Sequence, residues 1–149
     1  MKFREANQED LPAIIELFYD DKLGKTREKP SESVSKPYLS AFEEISDDKN
    51  NTIYVAEHDS RIIGVMQLTM ISTLTRNGTK RAQIEGVRIH SDCRGQGFGS
   101  KLMQFAIEKA KESGCGIVQL TTDKSREEAH QFYLQLGFSD DHLGMKIFI

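Results

Sequence analysis

The spacing of apolar residues changes period along the chain. Leu11, Ile14, Ile15 and Phe18 recur at helical spacing and predict an amphipathic helix over residues 9–23. Residues 2–5 read as a short edge strand before it. Residues 24–35 are polar and carry Pro30, which predicts a loop. Tyr38, Leu39, Phe42 and Ile45 predict a second helix over 36–45. From Thr52 the pattern becomes that of strands: 52–58, 62–71 and 81–90, separated by turns at 59–61 and 76–79. A helix is predicted over 100–113, with Leu102, Phe105, Ala106 and Ala110 inward. A strand over 117–122 follows. Ser125 with Glu128 three residues later has the spacing of a capping box for a last helix lined by Ala129, Phe132, Tyr133 and Leu136. Gly137 stops that helix, and residues 145–149 read as a terminal strand.

These elements predict a mixed α+β fold in one domain, residues 1–149. Helices come first, then a mostly antiparallel sheet flanked by helices, in which one right-handed crossover joins a parallel pair of strands through the helix at 100–113. The 149 residues, 38% hydrophobic and 29% charged, suit one core of ordinary size. The net charge of −3 gives no general attraction to nucleic acid or to an anionic membrane. No apolar run reaches the ~20 residues of a bilayer span. Cys93 and Cys115 make no disulfide framework and fit a reducing compartment, so the expected location is the cytoplasm. His58, Cys93, His130 and His142 lack compact ligand spacing, and no metal is expected.

The most informative stretch is Arg94-Gly95-Gln96-Gly97-Phe98-Gly99-Ser100, between a predicted strand and a predicted helix. Bare backbone at a helix N-terminus presents free N–H groups to an anion such as a pyrophosphate, and Arg94 can add a charged contact. A tight turn with nothing bound is the alternative. The evenly spaced glycines break the dinucleotide fingerprint G-x-G-x-x-G. The ending Phe98-Gly99-Ser100 does not supply the Gly-Lys-Ser/Thr of a Walker loop.

This run matches Arg/Gln-x-x-Gly-x-Gly/Ala, the acetyl-CoA motif of the GCN5-related N-acetyltransferases (GNAT). The strand before it, AQIEGVRIHSDC, and the later AHQFYLQLGF also resemble that superfamily's central strand and second signature. The resemblance implies a sheet whose parallel pair splays apart to admit the thioester. It implies a cradle for the acetyl-CoA pyrophosphate at Arg94, Gly95, Gln96, Gly97, Phe98, Gly99 and Ser100, and a pantetheine arm along the backbone of Val87, Arg88 and Ile89. It also implies direct acetyl transfer to an amine, with Tyr133 as proton donor and Glu85 as base, directly or through water. The plainer readings are a packing tyrosine and a substrate-orienting carboxylate. His90 is a further base candidate with an ordinary polar role as its alternative.

Arg126 stands where many relatives carry an asparagine that contacts the cofactor arm. It is expected to face water, with the cofactor phosphates or an acidic substrate as other partners. Lys22, Lys25, Arg27 and Lys29 form a basic run near the region that frames the acceptor in such folds. Glu43-Glu44 and Asp47-Asp48 are acidic patches of unassigned facing. The expected acceptor is a small-molecule primary amine. A protein lysine or N-terminus is the second choice, and a non-catalytic acyl-CoA-binding regulatory domain the third. Dimers are common among such relatives, so a homodimer is an expected assembly.

Overall fold

The computed structural model describes residues 1–21, 23–28 and 33–149. Lys22, Lys29 and Pro30 therefore lie outside the described residues. Five strands form one sheet in the order β1 (Lys2–Glu5), β2 (Asn51–His58), β3 (Arg61–Ile71), β4 (Arg81–Ile89) and β5 (Ile117–Leu120). The first four pair antiparallel, and β4–β5 is parallel. This is the predicted topology. A left-handed turn at Arg76, Asn77 and Gly78, all at positive φ, carries the chain from β3 to β4.

Successive residues of a strand face opposite sides, so Val55 and Ala56 of β2 enter different cores. On one face Val55 and Val65 meet Ile14 and Leu17 of α1 (Leu11–Tyr19). On the other, Ala56, Met66, Leu68, Ala82 and Ile84 meet α3 (Phe98–Glu112) through Leu102, Met103, Ala106 and Ala110. Ala106 and Ala110 keep this contact close, and each fully buried Leu or Met contributes about 1.5–3 kcal/mol. The helix α2 (Lys36–Asp47) lies beside β2 and buries Phe42. The last helix, α4 (Glu127–Gln135), buries no residue completely.

The ends of α3 and α4 share one mechanism. Gly114 (φ +75) donates to the Lys111 carbonyl and Cys115 to that of Ala110, so free carbonyls at the end of α3 are capped. Gly137 (φ +91) and Phe138 do the same to Leu134 and Tyr133 at the end of α4.

Four expectations are corrected. The first helix ends at Tyr19 because the chain turns back at Gly24, where a Cβ would overlap the Phe18 carbonyl. The polar stretch after it contains one helical turn, Gly24–Arg27. Ser125 does not cap α4: its N–H and hydroxyl both bond Asp123 Oδ1, at 3.0 and 2.7 Å, and Arg126 takes the N-cap position. Residues 145–149 join no strand of the sheet.

Candidate active site

The site begins where two strands part. β5 pairs with β4 only from Arg81 to Ile84, so the edge of β4 is open from Glu85 onward. Gly86 (φ +62) causes the divergence. Between the pairs Gln67–Glu85 and Val65–Arg88, β4 holds one residue more than β3, a bulge that bends the strand. A Cβ on Gly86 would also stand 3.3 Å from the Phe18 ring. Beyond the bulge the His90 N–H donates to Ile63 O (2.8 Å), and Arg88 lies opposite Val65. By alternation, Val87 and Ile89 turn their backbone groups into the notch. Their carbonyls already accept from Arg88 Nη1 (2.7 Å) and Arg94 Nε (3.0 Å).

The glycine loop follows β4. Gly95 and Gly97 take left-handed backbone, φ +74 and +78, with open space where a Cβ would project. Gly97 is the N-cap of α3, which begins two residues earlier than predicted. The first N–H to find a helical partner is that of Lys101, on Gly97 O (3.2 Å). Among the described residues, the N–H groups of Gly95, Gln96, Gly97, Phe98, Gly99 and Ser100 have no protein acceptor. They crowd one helix terminus whose dipole favours an anion. Gly99 also sets the approach of α4, since a Cβ there would press to 3.3 Å on the Phe132 ring. Phe98 turns inward beside His58, and the Gln96 side chain turns back to Asp92 O (2.8 Å).

Arg94 braces the loop. Its guanidinium donates to Ile89 O and to the Asp20 carbonyl, and lies 3.4 Å from Asp20 Oδ2. Asp20 also accepts the Ser91 N–H at 2.7 Å. Burial opposes the charge of Asp20, but Ser91 and Arg94 hold its carboxyl below the ordinary range. The single turn Ser91–Cys93 is capped by His90, whose Nδ1 accepts from the Asp92 N–H and whose Nε2 meets Arg61. Both ring nitrogens of His90 thus have partners within the protein.

Tyr133 projects from α4 into the half-buried cluster beside the notch, with Phe132 (5.3 Å) and Phe138 (6.0 Å) against its ring. The second signature acquires a physical meaning here. Gly137 permits the turn that lets the Phe138 N–H bond the Tyr133 carbonyl (3.1 Å), and the Phe138 ring folds back onto Tyr133. Burial raises the Tyr133 phenol above its ordinary pKa, more than Arg88 and Arg126 lower it. The Glu85 side chain is exposed at the start of the open edge, without a hydrogen bond or ion pair among the described residues. Water reaches it freely.

Arg126 does not simply face water. It donates to Asp21, at the far end of α1, and its side chain is only 23% exposed. Asp21 also lies 3.8 Å from Arg88, which packs over the Phe18 ring with its Nε buried and unpartnered. Burial works against the Asp21 charge. The Gly24 N–H and the two arginines outweigh it and depress the pKa. Burial, and then Arg126, push Arg88 down. A more exposed pair, Arg27 with Asp123 at 3.9 Å, makes a second tie between the same two segments.

Asp20 and Asp21 were not singled out from the sequence. The signal was present: two carboxylates ending a helix oppose its dipole and need a partner elsewhere. Cys93 and Cys115 are free, and no cluster of three metal-ligating side chains occurs among the described residues.

A notched sheet, a stripped anion loop at a helix start and a tyrosine beside the notch define the acyl-CoA N-acyltransferase architecture. The chain belongs to the acetyltransferase (GNAT) family, whose model matches residues 11–138. It is similar to the crystal structure of a transcriptional regulator from Bacillus halodurans C-125, with 47% identity, TM-score 0.96 and 99% of each chain covered. A putative acetyltransferase from Agrobacterium tumefaciens str. C58 aligns over 100% of both chains at 27% identity and TM-score 0.86. Among curated relatives, the aminoalkylphosphonate N-acetyltransferase of Salmonella typhimurium is 30% identical over 95 residues. That match covers 64% of this chain and 61% of the relative. The chain likewise spans 60% of an uncharacterized N-acetyltransferase from Methanocaldococcus jannaschii, at 27% identity.

Proposed function

We propose that this protein transfers the acetyl group of acetyl-CoA to the primary amine of a small molecule. The observation that carries the reading is the set of unpartnered N–H groups from Gly95 to Ser100, at the mouth of the notch between β4 and β5. That cradle fits a pyrophosphate in charge and in bare backbone. The edge at Val87 and Ile89 suits an extended arm lying beside it. Acetyl-CoA supplies an activated thioester. Glu85, open to solvent, takes the amine proton through water, and Tyr133, held protonated by burial, donates toward the departing sulfur.

Two ties, Asp21–Arg126 and Arg27–Asp123, link the segment after α1 to the segment between β5 and α4. Ties of this kind across an acceptor opening would suit a small amine better than a peptide. The name of the Salmonella relative points the same way. The second reading is a non-catalytic acyl-CoA sensor, favoured by the name of the Bacillus halodurans relative.

Titration with acetyl-CoA and CoA, followed by amine-dependent release of free thiol across a panel of aminoalkylphosphonates, amino acids, polyamines, aminoglycosides and lysine peptides, tests the proposal. Binding with turnover on a small amine is the expected result. Binding without turnover on any amine selects the sensor, and turnover only on peptides selects the protein acceptor. Absence of CoA binding removes the cradle assignment.

A further inference from the structure

The face of the sheet that meets α1 changes character along its length. Val55 and Val65 lie under Ile14 and Leu17, apolar against apolar. Two positions along β3 the same face turns polar, with Gln67 opposite Glu85. Beyond them a row of paired positions crosses four strands: Asn51, Thr69, Gln83 and Gln119. All four are half-buried, and their side chains are tied together. Asn51 Oδ1 accepts from Gln67 Nε2 and from Thr69 Oγ1, both at 3.0 Å. Gln119 Nε2 donates to Gln83 Oε1 at 2.7 Å. Arg81 ends the tract. It donates to Gln119 Oε1 (3.3 Å) and Thr75 Oγ1 (3.2 Å), and its Nε is buried without a partner. Among the described residues this guanidinium therefore bonds only neutral side-chain oxygens.

We propose that this tract is the acceptor subsite, and that the acceptor is an amine whose far end carries an oxyanion, a carboxylate or phosphonate, paired with Arg81. Glu85 places a negative charge at the notch and Arg81 a positive one at the other end, with uncharged amides between. That order complements a small molecule with an ammonium at one end and an acid at the other. Glu85 and Arg81 stand four residues apart on β4, about 13 Å between Cα positions, so the acceptor is extended. The amine end rests on the proposed acetyl transfer; the anion end does not. In that reading the cofactor arm takes the edge at Val87 and Ile89, so the acceptor approaches from the opposite direction. β5 stays paired with β4 from Arg81 to Ile84, which makes the floor continuous there. Gln119 and Thr75 hold the Arg81 guanidinium in place without neutralising it, and a planar guanidinium suits a carboxylate or phosphonate.

Steady-state kinetics with ω-amino acids from aminopropanoate to aminooctanoate, each against its carboxamide, tests the proposal. The carboxamide keeps the shape and the amine but removes the anion. For chains long enough to span the tract, the acid should have a KM at least about tenfold below that of its carboxamide. Aminopropanoate should show no such gap. Arg81→Gln should raise the KM of the long acid to that of its carboxamide and leave kcat unchanged. Arg81→Lys, which keeps the charge, should restore part of the preference. A merely structural loss would instead lower kcat for acid and carboxamide alike. Equal KM values for acid and carboxamide at every length in the wild type overturn the proposal, whatever the variants do. So does an acid preference that survives Arg81→Gln, or a gap of one size at all lengths, which puts the anion beside the notch. If no amine is acetylated, the transfer reading falls by itself, and calorimetric titration of aminooctanoate and its carboxamide with CoA present decides the subsite. Acid-selective binding that Arg81→Gln abolishes supports it; equal or absent binding overturns it.

Discussion

Asp21 and Arg126 are hydrogen-bonded across 105 positions of sequence, and the same carboxylate lies 3.8 Å from Arg88. One half-buried acid thus holds two guanidinium groups together. Asp21→Ala leaves them facing each other without compensation and should destabilise the fold by about 1–3 kcal/mol, the lower part reflecting partial exposure. Arg126→Ala should cost less, since Asp21 keeps Arg88 and the Gly24 N–H. In a urea-denaturation cycle the double variant should be more stable than the summed losses predict. Strict additivity would show that the pair is uncoupled.

Gly97 offers a cleaner probe of the cradle, because its Cβ would meet nothing yet its φ is +78. Gly97→Ala should lose about 1 kcal/mol of stability from the left-handed backbone alone. Gly97→Asp adds a carboxylate among the free N–H groups. It should raise the dissociation constant for CoA at least about tenfold beyond the alanine variant, because the new charge competes for the same donors. Isothermal titration of the two variants separates backbone strain from charge. Equal affinities would move the pyrophosphate elsewhere.

Acid should unfold the protein through three aspartates. Asp10 is 7% exposed, held by Arg4 at 2.6 and 2.8 Å and by the Asn7 N–H. Its pKa is lowered chiefly by Arg4, and those of Asp20 and Asp21 are lowered as well. A depressed folded-state pKa means that the unfolded chain binds protons first. The stabilisation is complete above the unfolded value near ~3.9 and is lost as pH falls through the lower folded values. Melting temperature should therefore drop steeply below about pH 4, and Asp10→Asn should flatten that drop while lowering stability at neutral pH. An unchanged acid limb in that variant would assign the transition to other groups.

Much of this was legible locally. The glycine loop, the two signatures and the strand order follow from patterns a few residues long, and each is present. What was not legible depends on distant or competing partners. Ser125 and Glu128 have capping-box spacing, but Asp123 is nearer in chain and captures both Ser125 donors. Nothing in the neighbourhood of Arg126 indicates that its partner lies at the end of the first helix. The pattern at 145–149 has strand composition, yet a strand exists only with a partner, and these residues join no strand of the sheet.

Tyr133→Phe isolates the proposed proton donor. The substitution removes one hydroxyl and keeps the ring that Phe132 and Phe138 pack against, so folding should change by less than about 1 kcal/mol. Affinity for acetyl-CoA should stay within about twofold, because the cradle lies in backbone groups elsewhere, while kcat should fall about 10²-fold or more. The pH profile carries further information. Burial raises the phenol above its ordinary pKa, so the wild-type rate should hold on the alkaline side until above about pH 10. In the phenylalanine variant that alkaline decline should disappear with most of the rate. If kcat is unchanged, Tyr133 is a packing residue and the departing thiolate takes its proton from solvent. If acetyl-CoA affinity falls together with kcat, the tyrosine shapes the notch rather than serving as the acid.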